Sequence, residues 1–200
     1  MPANHQPVNS IDSFFEKVSS YTKLSEECRN AWEKILVRKN YKRGENFVSE
    51  GQQPKKVAFV VKGLFSQYYI TEKGETVIKT FFPEKRFAAS VSAMLNRNSS
   101  IFTITALEDC DVLEYDFFEF KKLTNTYPDI AAFYINYMEL HWIIEKEPLE
   151  ISLRNDTASK RYEDFVTKFP GLAKRLKKHH IASYLGITPT QLSRIFLANK

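Results

Sequence analysis

The chain is poor in the residues that build metal, redox or hydrolytic sites. It has 200 residues but only two cysteines, Cys28 and Cys110, and four histidines. Neither cysteine belongs to a CxxC pair, so zinc or iron–sulfur ligation has no framework here and both read as free thiols. All four histidines, His5, His141, His179 and His180, lie outside the strand-rich stretch from Val37 to Tyr115. No glycine-rich phosphate loop and no serine nucleophile elbow occurs. These absences point away from an enzyme and predict no metal. No apolar run approaches the roughly 18–20 residues that span a bilayer. The first ten residues lack the basic-then-apolar order of a secretion signal, so the expected location is the cytoplasm, away from membranes.

What is present is an apolar content of 43%, enough for a packed core. The net charge of +5 is unevenly spread. Arg154–Lys200 holds ten basic and three acidic residues, so the excess sits at the C-terminal end. A basic segment raises the local concentration of a polyanion.

That basic segment carries the most specific pattern in the chain, from His179 to Phe196. Ile181 and Leu185 are one helical turn apart, with small Ala182 between them. Gly186 can take the positive φ that ends a helix. Ile187 follows as an apolar plug. Thr188-Pro189-Thr190-Gln191 reads as a capped helix start, with proline at the first helical position and glutamine reaching back. Leu192 and Ile195 then repeat at helical spacing. The order is that of a helix-turn-helix, whose second helix enters a DNA major groove. At 100° per residue, Thr190, Ser193 and Arg194 share one face with Leu197, while Leu192, Ile195 and Phe196 turn to the core. Thr190, Ser193 and Arg194 are therefore the expected base readers. Gln191 is divided between capping Thr188 and reaching a base, with the cap favoured. Lys177, Lys178, His179 and Thr188 are placed for phosphates.

Earlier in the chain, Met1–Ser10 reads as a frayed arm. Ser10 or Asp12 caps a short helix through Val18, and Ser25 caps a second. From Val37, short runs alternate with turns at Gly44, Gly51, Gly63 and Gly74. Val57–Val61, Leu64–Ile70, Thr76–Phe82, Ile101–Leu107 and Val112–Asp116 predict an antiparallel sandwich or barrel. A short helix or loop interrupts it between Phe87 and Asn98. A long helix then runs from Asp129 to Glu147. Its apolar residues exceed one stripe, and Phe133, Tyr137, Leu140 and Ile144 follow coiled-coil spacing, which predicts a homodimer. Pro148 marks a kink or hinge, and Asn155-Asp156-Thr157 caps the next helix. The expected fold class is α+β: a jelly-roll-like β-roll (1–123), a long dimerisation helix with hinge (124–154) and a helix-turn-helix domain (155–200).

This architecture resembles the cyclic-AMP receptor protein/FNR (Crp/Fnr) family of transcription regulators, from about Trp32 to Phe196. Ile181–Thr188 with Leu192–Ile195, and the roll ending Thr105–Val112, carry the likeness. The resemblance implies a sensory, cyclic-nucleotide-binding-like roll, a dimerising helix and a two-fold symmetric DNA operator, with RNA polymerase as a further candidate partner. Two departures stand out. Where the family's phosphate-binding cassette has Gly-Glu and Arg, this chain has Ala88-Ala89 and Ser100, so the carboxylate for the ribose and the guanidinium for the phosphate are missing. Arg97 is the nearest substitute. A degenerate effector pocket is expected around Phe87, Ala88, Ala89, Arg97, Ser100, Thr103 and Tyr137, filled by aromatic residues such as Phe81, Phe87 and Phe102 or open to a more apolar ligand. Cyclic AMP is not the expected effector, and no cofactor is assigned. The β-wing usual after the recognition helix is not evident before Lys200. A ligand-binding signalling module that no longer binds DNA is the competing reading.

Overall fold

Phe14, on the first helix, is fully buried and sets its ring edge-on to Phe15, Trp32, Phe59, Phe87 and Tyr115, at centroid distances of 5.1 to 6.5 Å. Edge-to-face rings align positive ring edges with negative faces and add to the burial of their area. This cluster joins the elements of the first of two compact units in the computed structural model, which describes residues 10–198. The first unit comprises Met1–Gln67 and Phe81–Met138; the second comprises Tyr68–Thr80 and Glu139–Lys200. The expected N-terminal arm and the expected absence of a wing at Lys200 lie outside the described residues.

In the first unit, α1 (Ser10–Ser19) and α2 (Glu26–Glu33) precede the strands. Ser25 caps α2, its Oγ accepting from the Cys28 amide, with Glu26 and Glu27 in the first turn where carboxylates suit the helix dipole. Along the whole chain the strands are β1 (Val37–Tyr41), β2 (Asn46–Val48), β3 (Lys56–Lys62), β4 (Phe65–Ile70), β5 (Thr76–Phe82), β6 (Phe87–Ala88), β7 (Thr103–Ala106) and β8 (Cys110–Asp116), of which Tyr68–Thr80 in β4 and β5 falls in the second unit. They form two four-stranded sheets, ordered β1-β8-β3-β6 and β2-β7-β4-β5. α3 (Val91–Asn96) interrupts the strands where the pattern lapses. α4 (Phe117–Thr126) follows β8, capped by the Asp116 carboxylate, which accepts from the amides of Phe118 and Glu119. α5 (Pro128–Met138) completes the unit.

The run Val57-Ala58-Phe59-Val60 is buried throughout, because both faces of β3 are covered. Val57 and Phe59 join the aromatic core with Leu113, Tyr115 and the helices. Ala58 and Val60 join a second core inside the roll, with Phe47, Phe65, Ile104 and Val112. The period of two therefore divides one apolar strand between two cores.

β1 was not among the expected strands. Its sequence, Val-Arg-Lys-Asn-Tyr, is mostly exposed, and its pairing with β8 decides its conformation. The Asn40 amide donates to the Asp111 carboxylate, and Tyr41 Oη donates to Glu114. Glu114 is buried, and Lys56 Nζ reaches its other carboxylate oxygen at 2.9 Å. Burial, then the hydrogen bond to Glu114, pushes the Tyr41 phenol well above its ordinary range.

The helix expected to run unbroken from Asp129 to Glu147 is divided. After α5 come a π-helical turn (Glu139–Ile144) and α6 (Lys146–Asn155), both in the second unit. Pro148 sits in the first turn of α6, where a missing N–H leaves nothing unpaired. Were the α-helix continuous, Pro148 would face the Ile144 carbonyl with no donor and a steric clash. The Glu145 amide instead donates to Leu140 O at 2.9 Å, the i→i−5 spacing of a π turn.

The rest of the second unit is helical: α7 (Ala158–Lys168), capped by Thr157, then α8 (Leu172–Arg175), α9 (Lys178–Leu185) and α10 (Pro189–Ala198). The hairpin 68–80 belongs to it as well. β5 is an edge strand, and the Ser183 hydroxyl of α9 satisfies two of its backbone groups: it accepts from Ile78 N–H at 2.9 Å and donates to Thr76 O at 2.7 Å. Lys79 Nζ stands 5.3 Å from the centre of the Trp142 ring. Burial, and then the charge of Lys146, lowers the Lys79 pKa. The compact units thus differ from the three consecutive segments read off the sequence. The hairpin groups with residues more than a hundred positions later because those residues satisfy its edge.

Candidate nucleic-acid interface

α9 ends at Gly186, whose φ of 65° is left-handed. The Ile187 amide, just beyond it, donates to Ala182 O at 3.0 Å, which closes the helix end. α10 begins immediately with a reciprocal cap. Thr188 Oγ1 accepts from Gln191 N–H at 3.1 Å, and Gln191 Oε1 accepts from Thr188 N–H at 2.9 Å. Gln191 and Thr188 are therefore engaged with each other at the helix start.

Between the helices, Ile181, Ala182, Leu185, Leu192 and Ile195 are buried together with Phe165 of α7. Phe196 sets its ring edge-on to Tyr162 at 5.0 Å. This packing leaves the opposite face of α10 outward: Thr190 and Arg194 are exposed, Ser193 half-buried, and Leu197 is 72% exposed. Lys174, Arg175, Lys177, Lys178 and His179 are all exposed between α8 and the first turn of α9. Lys178 Nζ lies 5.3 Å from the Phe196 ring centre, and the His179 and His180 rings meet edge to face at 4.3 Å. An outward face with one guanidinium, beside a cationic helix start, can offer a planar fork to a base edge and point charges to phosphates.

The residues expected around an effector pocket divide between two cores and the loop beside them. Phe87 and Ala89 join the aromatic core, while Ala88 between them faces the roll interior. Tyr137 packs on Phe87 at 5.2 Å, within the aromatic core rather than the roll. Phe81 is 2% exposed, and Phe102 is half-buried beside Ser100. Ser100 Oγ hydrogen-bonds to Ser90 Oγ at 2.8 Å and donates to Phe102 O. Thr103 Oγ1 accepts from the Glu50 amide. Arg97, in left-handed backbone at φ 55°, holds its guanidinium 5.5 Å from the Phe118 ring centre. Extended backbone at Phe87–Ala88 sends Phe87 and Ala89 to one side and Ala88 to the other.

The residues expected at a dimer seam also divide. Phe133 is 2% exposed and packs on Trp32 and Phe87 of its own chain, so it has no surface left for a partner. Tyr137 is partly buried there too, and Leu140 is half-buried. Ile144 is 61% exposed, and the outward apolar set also includes Ile135, Ile143 and Ile151. The coiled-coil spacing assumed an α-helix throughout, whereas Leu140 and Ile144 lie in the π turn, which shifts their phase.

Among the described residues, no group of histidine, cysteine, aspartate or glutamate is arranged to hold a metal ion, and no helix is long and apolar enough to cross a membrane. Residues 38–127 match the cyclic nucleotide-binding domain family. No curated protein sequence matches the chain. In three dimensions it is similar to FixK2 from Bradyrhizobium japonicum, at 17% identity and a TM-score of 0.69, covering 82% of this chain and 84% of that one. It is similar also to CLP, the c-di-GMP-responsive global regulator of Xanthomonas campestris, at 11% identity and a TM-score of 0.67, covering 87% and 91%. The catabolite activator protein of Thermus thermophilus matches at 16% identity and a TM-score of 0.56, covering 91% and 85%. The class is therefore that of proteins with a cyclic nucleotide-binding roll and C-terminal helices. Residues 38–127 thus carry a cyclic nucleotide-binding domain, and the three solved structures share the fold over most of the chain.

Proposed function

We propose that the protein is a DNA-binding transcription regulator of the Crp/Fnr type that acts as a homodimer on a two-fold symmetric operator and does not use cyclic AMP in the family's usual manner. The observation that carries the reading is the pair of helices joined at Gly186, with Leu192 and Ile195 buried and Thr190 and Arg194 outward. The cationic approach from Lys174 to His179 beside this outward face supports DNA binding over a pair of helices that merely pack. Arg194 reads a guanine edge, with Thr190 in the first turn beside it and Ser193 next to it. Lys177, Lys178 and His179 hold phosphates and set register. Gln191, engaged with Thr188, braces the start of the reading helix instead of reading a base.

Binding to duplex DNA should weaken steeply with salt. Arg194→Ala is expected to flatten preference at one base pair per half-site, a loss of about 1–3 kcal/mol of discrimination. Lys178→Ala should weaken all sequences alike and reduce the log–log salt slope by about 1. Site selection from genomic fragments followed by titration at three salt concentrations separates the two. If Arg194→Ala lowers affinity equally for selected and random duplexes, base reading does not belong to Arg194. Absence of any salt-dependent DNA binding by the full chain would favour the signalling-module reading.

For the roll, calorimetry is expected to give no cyclic AMP binding at micromolar ligand. The support is chemical: Ser100 is engaged with Ser90 and Phe102, and Arg97 is turned onto Phe118. A clamp on the cyclic phosphate would have to rebuild these contacts. Micromolar binding that Arg97→Ala abolishes would overturn this part.

A further inference from the structure

α6 has no fully buried residue, although it carries Leu149, Ile151 and Leu153. One side of it borders a cavity of about 290 Å³ that lies wholly within the second unit. Leu149 and Leu153 form one wall. The other is aromatic: Phe165 of α7 lies 5.6 Å from Phe169 and 5.4 Å from Tyr184 of α9, centroid to centroid. Leu185, the last residue of α9, also lines the cavity. The size is at the small end of ligand pockets, which are mostly apolar with a few polar groups at the edge.

The charged residues at this cavity have partners within the chain. Lys168 pairs with Glu145 at 3.7 Å. Asp164 pairs with Lys160. Arg161 donates from Nε to Leu185 O at 3.0 Å and from Nη1 to Asp156 O at 2.8 Å. The two cations and two anions at the rim, Arg161, Lys168, Glu145 and Asp164, balance. The walls themselves are apolar and aromatic, so a charged guest would be desolvated against them, whereas an uncharged ring needs only these walls.

We propose that this cavity is a binding site for a small, uncharged, ring-bearing molecule, and that its occupancy is felt by the helix-turn-helix. A ring between Leu153 and the Phe165–Phe169–Tyr184 wall would touch α6, α7 and α9 at once. Leu185 stands next to Gly186, and Arg161 ties its carbonyl to α7, so the guest lies one residue from the turn that sets α10. A ligand that favours one arrangement of these helices changes DNA affinity by its differential affinity for the two arrangements. This coupling rests on the DNA-binding reading; the binding site does not.

The probe is indole, added to the full chain. Saturable binding is expected, with an increase in Tm of roughly 3–5 °C at about ten times its Kd. Leu153 is 47% exposed, so Leu153→Trp can fold while its ring fills the cavity from the rim. That variant should bind indole at least tenfold more weakly at unchanged far-ultraviolet circular dichroism. Indole-3-acetate, the same ring with a carboxylate, should bind at least tenfold more weakly than indole. No saturable binding, or binding that Leu153→Trp leaves unchanged, would sink the site. Tighter binding of the carboxylate would sink the assigned ligand class. Indole is further expected to change the Kd for duplex DNA severalfold in the wild-type chain and not in Leu153→Trp. Indole binding with DNA affinity unmoved would refute the coupling. Indole binding in a chain that binds no DNA at all would instead remove the DNA-binding reading and leave the site standing.

Discussion

Gly63→Ala is expected to destabilise the β-roll unit by roughly 2–5 kcal/mol, a large share of the 5–15 kcal/mol that holds a typical domain together. Gly63 turns the chain between β3 and β4 at φ 99°, where an L side chain is strained by about 1–2 kcal/mol. A Cβ there would stand 2.6 Å from both Asp109 O and Cys110 Sγ and 2.9 Å from Cys110 Cα. Two of those three atoms are backbone, and Cys110 is buried in the roll core, so relief requires the start of β8 to move, adding an overpacking cost of about 1–3 kcal/mol. Gly44 provides the control. Its φ is 89°, yet nothing lies within 4 Å of its Cβ position, so Gly44→Ala carries only the conformational cost of about 1–2 kcal/mol. Urea unfolding of the two variants measures the difference. Equal losses would mean that the close approach of Gly63 to Cys110 does not contribute.

Ile144→Glu combined with Ile151→Glu is expected to give a chain of single-protomer mass by light scattering at micromolar concentration, and to lower operator affinity by roughly 10²–10⁴-fold, the loss of linkage between two half-site contacts. The two side chains are 61% and 59% exposed, so charging them costs the isolated chain little. The same charges within a dimer seam would be desolvated without partners. Phe133→Glu is a poor test, since Phe133 is buried in the aromatic core of its own chain and the substitution would unfold it. A variant that remains dimeric, with operator affinity unchanged, would move the interface elsewhere on the chain.

Much of the second unit is legible along the chain because its signals are local. Gly186 ends a helix by its own backbone freedom, and Thr188 with Gln191 starts the next through contacts three residues apart. The spacing of Ile181, Leu185, Leu192 and Ile195 alone selects the buried face. The effector region was less legible. Its expected residues rest on likeness to a cassette, and neighbours such as Ala88 and Ala89 face different cores.

By itself, the sequence determined the helix caps, the turns at glycine, the buried side of α10 and the concentration of positive charge around it. Each depends on groups within about one helical turn, or on composition. Only the tertiary structure decided that Val-Arg-Lys-Asn-Tyr is a strand, because its partners in β8 lie about seventy residues away. It also divided β3 between two cores, turned Arg97 onto Phe118 and drew Phe133 inward. In the same way it grouped hairpin 68–80 with α9 through Ser183. An apolar or charged side chain can be satisfied by many partners, and which one it meets depends on segments distant in the chain that fold against it.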